Sequence, residues 1–211
     1  MSTETAQSAL AALQRLQEGN RQFVAGIRRD EPYLDETRQS ELLANQKPFA
    51  VILGCSDSRV PVEIVFNQGF GDLFVVRVAG NIVAPSQIGS IEFAAEKFGT
   101  RLVVVLGHTR CGAVQATLDE LQRPNESQSR NLRSIVDRIR PAVEGLLTTE
   151  LRQQPDLLKQ KAIRANVRVS ANSLRHGSAV LEPLVLNGEL LVVGAEYSLE
   201  TGVVDFFDGM P

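Results

Sequence analysis

Two cysteines and one histidine stand where apolar runs of the sequence end. Cys55 directly follows the run 49–54, and His108 follows the run 102–107, with Cys111 three residues further on. Such runs are typical of strands in a parallel sheet, whose functional crevice lies beyond the carboxyl ends of the strands. Two thiolates and one imidazole are one of the ligand sets that hold a tetrahedral zinc ion and leave one position open. The pattern therefore predicts a catalytic metal site.

Each of these residues also has a less specific interpretation. A single cysteine after an apolar strand is more often a small buried side chain than a ligand, and two cysteines can also serve structure or form a redox pair. The joint placement of both cysteines and of one of only two histidines favours metal binding. The other histidine, His176, precedes Gly177 in the predicted last turn of a helix, and we assign it no catalytic role.

Charged residues follow the first cysteine in the stretch CSDSRV. Alone, Asp57 would be a turn residue and Arg59 a surface cation. Since they lie two and four residues after a predicted zinc thiolate, we expect them to form a charge pair beside the metal. Gly112 follows the second cysteine and begins a predicted helix, whose N-terminal N–H groups can receive an anion.

The elements that position these residues are an N-terminal helical region and five strands. Residues 8–18 carry Leu10, Leu13 and Leu16 at helical spacing, and we expect this helix to end near Gly19 and Asn20. Its narrow leucine stripe needs a partner surface. A second short helix is predicted for residues 36–45.

Apolar runs predict the five strands at 49–54, 73–78, 102–107, 190–194 and 203–207. A helix at 86–98 connects the second and third strands as a parallel unit, a long helical region interrupted by Pro124, Pro141 and Pro155 follows, and the last two strands form an antiparallel hairpin. The predicted fold is a single α/β domain over 1–211. It has a mainly parallel sheet of four strands, an antiparallel C-terminal edge strand and flanking helices, with an N-terminal helical arm (1–45) before the zinc-binding core (46–211).

Composition excludes several classes of protein. The formal net charge is −3, and the 22 basic and 25 acidic residues are spread along the chain. The sequence therefore has no cluster of positive charge of the kind that binds nucleic acid or anionic lipid. No apolar run approaches the length of a membrane span, and the N-terminus lacks the pattern of a signal peptide. Two cysteines exclude a disulfide scaffold. We therefore expect a soluble cytoplasmic protein whose partners are small molecules or other protein chains.

The sequence resembles the β-class carbonic anhydrases, most specifically in the segments CSDSR at 55–59 and HTRCG at 108–112. The resemblance extends from Leu10 to about Phe207. It implies reversible hydration of carbon dioxide to bicarbonate and a proton by a zinc-bound hydroxide. It also implies one zinc ion per chain held by the two cysteines and His108.

The same resemblance assigns roles around the metal. Asp57 and Arg59 form a catalytic dyad that orients the hydroxide, although in a closed form of some members the aspartate becomes the fourth zinc ligand. The implied substrate-binding positions are Gln46, Phe74, Phe93 and the backbone N–H of Gly112. Phe93 stands where many members have tyrosine, so a phenol contact is missing here.

Two further features follow from the resemblance. In the family the pocket lies between subunits of a homodimer or homotetramer, and the N-terminal helix embraces the neighbour, which would cover the leucine stripe. Members regulated by bicarbonate carry a tryptophan three positions before the first zinc cysteine, where this chain has Ile52, while Arg77 matches an arginine of that regulatory site. We interpret the chain as a member of the unregulated, open-site branch.

Two other hypotheses stay open. A non-enzymatic zinc or thiol module would have a metal site closed by a fourth ligand, or a reversible disulfide between Cys55 and Cys111. The resemblance adds a third possibility with the same fold and a different substrate, since a relative of this family hydrolyses carbon disulfide, and access to the pocket decides between the two substrates.

Overall fold

The computed structural model describes residues 3–27, 36–123 and 129–211. Five strands form one sheet in the order β2-β1-β3-β4-β5, and every neighbouring pair is parallel except β4 and β5. The predicted fold class is therefore confirmed. The strands are β1 (Ala50–Gly54), β2 (Leu73–Arg77), β3 (Leu102–His108), β4 (Leu191–Tyr197) and β5 (Val204–Asp208).

Helices cover both faces of this sheet. They are α1 (Thr3–Val24), α2 (Glu36–Ala44), α3 (Val62–Val65), α4 (Pro85–Lys97), α5 (Gly112–Gln122), α6 (Arg130–Val143), α7 (Pro155–His176) and α8 (Leu181–Leu186). Short 3₁₀ turns occupy Ala79–Asn81, Glu144–Thr148 and Glu150–Gln153. Within these described residues, no helix combines the length and apolar character that a membrane crossing requires.

The two faces of the sheet hold separate parts of the core. Alternate residues of β1 and β3, such as Ile52 and Val104, pack beneath α1 and α3. Their neighbours, such as Leu53 and Val105, pack beneath α4 and α7. All residues of both strands are buried, which explains why their sequences are continuously apolar instead of alternating. The buried central strands provide a rigid base for the residues at their carboxyl ends.

The predicted end of the first helix at Gly19 and Asn20 is wrong, because α1 continues to Val24. A side chain at Gly19 would place its Cβ 1.8 Å from the backbone oxygen of Phe66, so this glycine allows the helix to lie against the segment after α3. The Asn20 side chain donates to the carbonyls of Val65 (3.1 Å) and Gly202 (2.9 Å). Both residues serve tertiary contacts instead of stopping the helix.

The expectation that the leucine stripe needs a partner chain is also wrong for two of its three members. Leu13 and Leu16 are 3% and 0% exposed and belong to the core cluster of this chain, whereas Leu10 remains 38% exposed. The helix therefore finds its partner surface in its own sheet, so the stripe is no longer an argument for self-association.

The long helical region differs from its prediction at one proline. Pro141 lies inside the last turn of α6 and does not interrupt it, whereas Pro155 begins α7, where a missing N–H costs no helical hydrogen bond. Pro124 lies outside the described residues. The predicted C-terminal hairpin is confirmed, but β4 runs on to Tyr197 because it continues to pair with β3 up to His108.

Candidate metal and catalytic site

The structure brings Cys55, His108 and Cys111 together at the carboxyl end of the sheet. Cys55 follows β1, His108 is the last residue of the adjacent β3, and Cys111 caps the start of α5. One potential ligand atom from each residue lies within 4.8 Å of the others, and all three residues are buried. This is the compact donor set that a single metal ion requires.

The imidazole of His108 is prepared for a metal ion. Its Nδ1 lies 2.9 Å from the Thr109 carbonyl, which favours the tautomer in which Nδ1–H donates and the Nε2 lone pair is free. Nε2 is buried and has no hydrogen-bond partner in the part of the chain that the structure describes. A buried nitrogen without a partner is costly, and a cation between Nε2 and the two thiols would satisfy it. The residues therefore fit zinc.

The two thiols interact strongly with each other. The neighbouring Cys111 thiol lowers the pKa of Cys55, while the interaction with Cys55, together with burial, raises the pKa of Cys111. Burial lowers the pKa of His108, but the neighbouring Cys55, the Thr109 carbonyl and Asp57 together raise it, so the net shift is upward. Without a metal the cluster thus holds protons that a bound cation has to displace.

Asp57 and Arg59 form the predicted charge pair beside this cluster. Arg59 donates from Nε to Oδ1 (2.9 Å) and from Nη2 to Oδ2 (2.8 Å), and its backbone N–H also donates to Oδ1 (3.0 Å). The side-chain hydrogen bonds from Arg59 hold the pKa of Asp57 well below its usual range. Oδ2 lies 3.8 Å from His108 Nε2. An ionised carboxylate is therefore held at the edge of the metal site.

Sequence reasoning noted Arg77 only for a possible regulatory role and missed its contacts with the site. Its guanidinium donates to the carbonyls of Cys55 (Nε, 2.9 Å) and Asp57 (Nη2, 2.6 Å). Arg77 ends β2 opposite Gly54 of β1, so its position at the carboxyl end of a neighbouring strand was the available signal. It fixes the backbone of the turn that carries Cys55 and Asp57.

Glu200, in the loop between β4 and β5, holds the turn between His108 and Cys111 and was also missed. It accepts a hydrogen bond from Thr109 Oγ1 (2.7 Å) and forms an ion pair with Arg110, whose Nε lies 2.7 Å from Glu200 Oε1. Arg110 has a positive φ of 58°, a conformation that non-glycine residues adopt rarely. Its side-chain contact with Glu200 helps to hold this strained turn.

Three of the predicted substrate-binding residues lie away from the cluster within one chain. Phe74 pairs with Val51, three residues before the end of β1, or about 10 Å at the usual strand rise. Phe93 on α4 packs with Phe74, at 6.4 Å between ring centroids. Gln46 precedes β1 altogether. The chain by itself therefore places these residues toward the amino ends of the strands, opposite the cysteines.

The fourth predicted substrate-binding residue, Gly112, does lie at the cluster, as the first residue of α5 directly after Cys111. Beyond its chain neighbours and the backbone of its own helix, a Cβ at this position would meet no atom of the described residues within 4 Å. Internal packing therefore does not require a glycine here, and the space beside its backbone is open.

Known proteins resemble this chain over most of its length. A family model described as carbonic anhydrase matches residues 50–204. Carbonic anhydrase 2 of Mycobacterium tuberculosis is 38% identical over 198 residues, which cover 92% of this chain and 90% of that protein. The β-carbonic anhydrase CafA of Aspergillus fumigatus superimposes with a TM-score of 0.71 at 29% identity, covering 82% of this chain and 81% of that one. A β-carbonic anhydrase of Coccomyxa gives 0.71 at 25% identity, covering 83% and 81%.

Proposed function

The chain belongs to the β-class carbonic anhydrases, and we propose that Cys55, His108 and Cys111 hold the one zinc ion with which it hydrates carbon dioxide reversibly to bicarbonate and a proton. The observation that carries this assignment is the buried Nε2 of His108, which lacks a hydrogen-bond partner among the described residues beside two thiols. Bound there, zinc supplies an activated water as the nucleophile.

Asp57 acts as the hydrogen-bond acceptor that orients the nucleophile toward carbon dioxide. Arg59 keeps this carboxylate ionised, because two side-chain hydrogen bonds favour its charged form. The same bonds oppose a rotation of Asp57 onto the metal, so we propose that the open form predominates.

We propose that the chain belongs to the unregulated branch, and two features of the structure support this proposal. Ile52 is fully buried in the core and offers no polar group. Arg77 already donates to two backbone carbonyls of the Cys55–Asp57 turn, so its guanidinium is engaged within the site. An anion competing for it would have to break these hydrogen bonds.

A second copy of the chain completes the substrate pocket. Gln46, Phe74 and Phe93 lie toward the amino ends of the strands and would line the pocket of a partner chain, while Gly112 contributes its N–H from the zinc-binding chain. Phe93 on α4 is 50% exposed and packs with Phe74 and Phe98, so this aromatic group presents an apolar surface that a partner chain can cover. We therefore propose a homodimer, or a homotetramer built from it.

We propose that residues 1–211 act as one domain in the cytoplasm, with residues 1–45 as the N-terminal arm and 46–211 as the zinc-binding core. Both cysteines are free and buried thiols, which suits a reducing compartment. The site needs them as thiolates, and an oxidising environment would threaten that state.

The experiment that tests the function is stopped-flow hydration of carbon dioxide by zinc-loaded and metal-stripped protein. We expect activity only with zinc. Full zinc occupancy without hydration would overturn the reaction while leaving the metal site intact. A parallel assay of carbon disulfide hydrolysis tests the alternative substrate, which the similarity to carbonic anhydrases does not favour.

A further inference from the structure

The backbone segment around Gly80 lies against the Cys55 thiol and is held from its other side by α7. The Gly80 N–H donates to Cys55 Sγ at 3.3 Å. The Gly80 carbonyl accepts a 2.7 Å hydrogen bond from Asn166 Nδ2. Asn166 is only 1% exposed, so this contact is shielded from water. One peptide segment thus links a buried amide of α7 to a cysteine of the metal site.

Gly80 is closely fitted to this place. Its φ is +72°, which favours glycine, and a Cβ there would lie 2.8 Å from Ile139 Cδ1 and 3.1 Å from the Ala113 Cβ. The packing of α5 and α6 therefore limits how the segment can move. With its carbonyl bound by Asn166, the orientation of its N–H toward the thiol is well defined.

We propose that Asn166 is a positioning residue that tunes Cys55 as a metal ligand through the Gly80 N–H. An N–H bond to a ligating thiolate withdraws electron density from the sulfur and so weakens its donation to the metal. Two thiolates make a zinc site formally neutral, which acidifies water less than three imidazoles do, and the N–H bond counteracts part of this loss. The inference rests on the proposed zinc site.

The probe is Co²⁺ loaded into the full-length protein, because its thiolate-to-metal absorption band reports sulfur donation directly. Asn166→Leu removes the amide at similar volume. We expect its band to move to lower energy and the pH midpoint of zinc-enzyme activity to rise, because the sulfur donates more strongly to the metal once the N–H bond is lost or misaligned. These two readouts separate tuning of the ligand from a general loss of stability.

Thr100→Val is the matched control. Thr100 is 3% exposed and donates from Oγ1 to the Pro48 carbonyl at 2.9 Å, before β3 begins and so at the other end of the sheet. Both variants lose one buried hydrogen bond from a side chain to a backbone carbonyl, and both should unfold at lower temperature. Only Asn166→Leu should shift the band.

The outcomes separate this inference from the proposed function. An unshifted band in Asn166→Leu, or an equal shift in Thr100→Val, would overturn the role of Asn166. Wild-type protein that binds Co²⁺ without any thiolate band would overturn the proposed metal site itself. If Asn166→Leu does not fold, Asn166→Ala answers the same question, since it also removes the donor and adds no bulk.

Discussion

The two ends of the sheet differ in burial and in the contacts that their own chain supplies. At the carboxyl ends, the cluster of Cys55, His108 and Cys111 is buried and held by contacts from its own chain. At the amino ends, Phe93 stays half exposed beside Phe74, and neither lies at the cluster. One chain thus brings the candidate metal ligands together, and we propose that the substrate pocket needs two chains.

The largest effect should come from the metal ligands. Cys55→Ser, His108→Ala and Cys111→Ser should each lose nearly all zinc, because removing one of three protein ligands destroys the site. Metal analysis of the purified variants measures this directly, and hydration of carbon dioxide should fall to background. His176→Ala is the control, since this exposed histidine lies at the end of α7 and its Nδ1 is 3.1 Å from the Asn172 carbonyl of its own helix. Full zinc occupancy in any of the first three would remove that residue from the ligand set.

A mixed dimer tests whether the other end of the sheet serves a partner. Cys55→Ser breaks the metal centre, and Gln46→Ala should break the pocket wall of the neighbouring site. When the two variants are coexpressed with different tags and purified as a heterodimer, one site combines an intact metal centre with an intact wall. We expect activity well above that of either parent.

The control pair for this experiment is Cys55→Ser with His108→Ala. Both changes damage the metal centre, so no combination of these chains yields an intact site. Recovery in the control, or no recovery in the Cys55→Ser and Gln46→Ala heterodimer, would contradict a pocket shared between chains. A monodisperse and active monomer in light scattering would do the same.

The charge pair should have an intermediate effect. Asp57→Asn and Arg59→Ala should keep zinc but hydrate carbon dioxide about 10- to 100-fold more slowly, because they orient the nucleophile without holding the metal. Turnover measured together with zinc content separates the two roles. Full activity of Asp57→Asn would show that the carboxylate is not the acceptor.

The metal-binding cluster is more predictable from sequence than the residues that hold its surroundings in place. Cys55 and His108 follow apolar runs, and parallel strands end at a common edge, so their meeting follows from local patterns. The prediction that the first helix ends at Gly19 is wrong because this glycine allows close contact with Phe66, which is distant in sequence. Asn166 and Glu200 act through contacts with segments more than 80 residues away, and periodicity carries no information about such pairs.

The smallest effect concerns Glu200, which supports the turn between the second and third ligands from outside. Its hydrogen bond from Thr109, helped by Arg110, lowers the pKa of this carboxylate below its ordinary 4.5. A lowered pKa in the folded state contributes stability above the ordinary value, and this contribution is lost as the pH falls through the lowered one. The free energy of unfolding of Glu200→Gln should therefore be lower than that of the wild type at pH 7. This difference should disappear at acidic pH.

Denaturant unfolding at several pH values measures this difference, which should be small because Arg110 and Glu200 are 73% and 42% exposed. Glu18→Gln is the matched control, since Glu18 forms a similar exposed pair with Arg21 on α1 and its pKa is also lowered, mainly by the hydrogen bond from Arg21. Both variants should show the pH-dependent difference in unfolding free energy.

Only Glu200→Gln should release zinc faster to a chelator, by less than about tenfold, because of these two residues only Glu200 holds the turn that joins His108 to Cys111. Equal zinc release in the two variants would show that the turn is held without Glu200, by backbone contacts such as the hydrogen bond from the Thr109 N–H to the Tyr197 carbonyl.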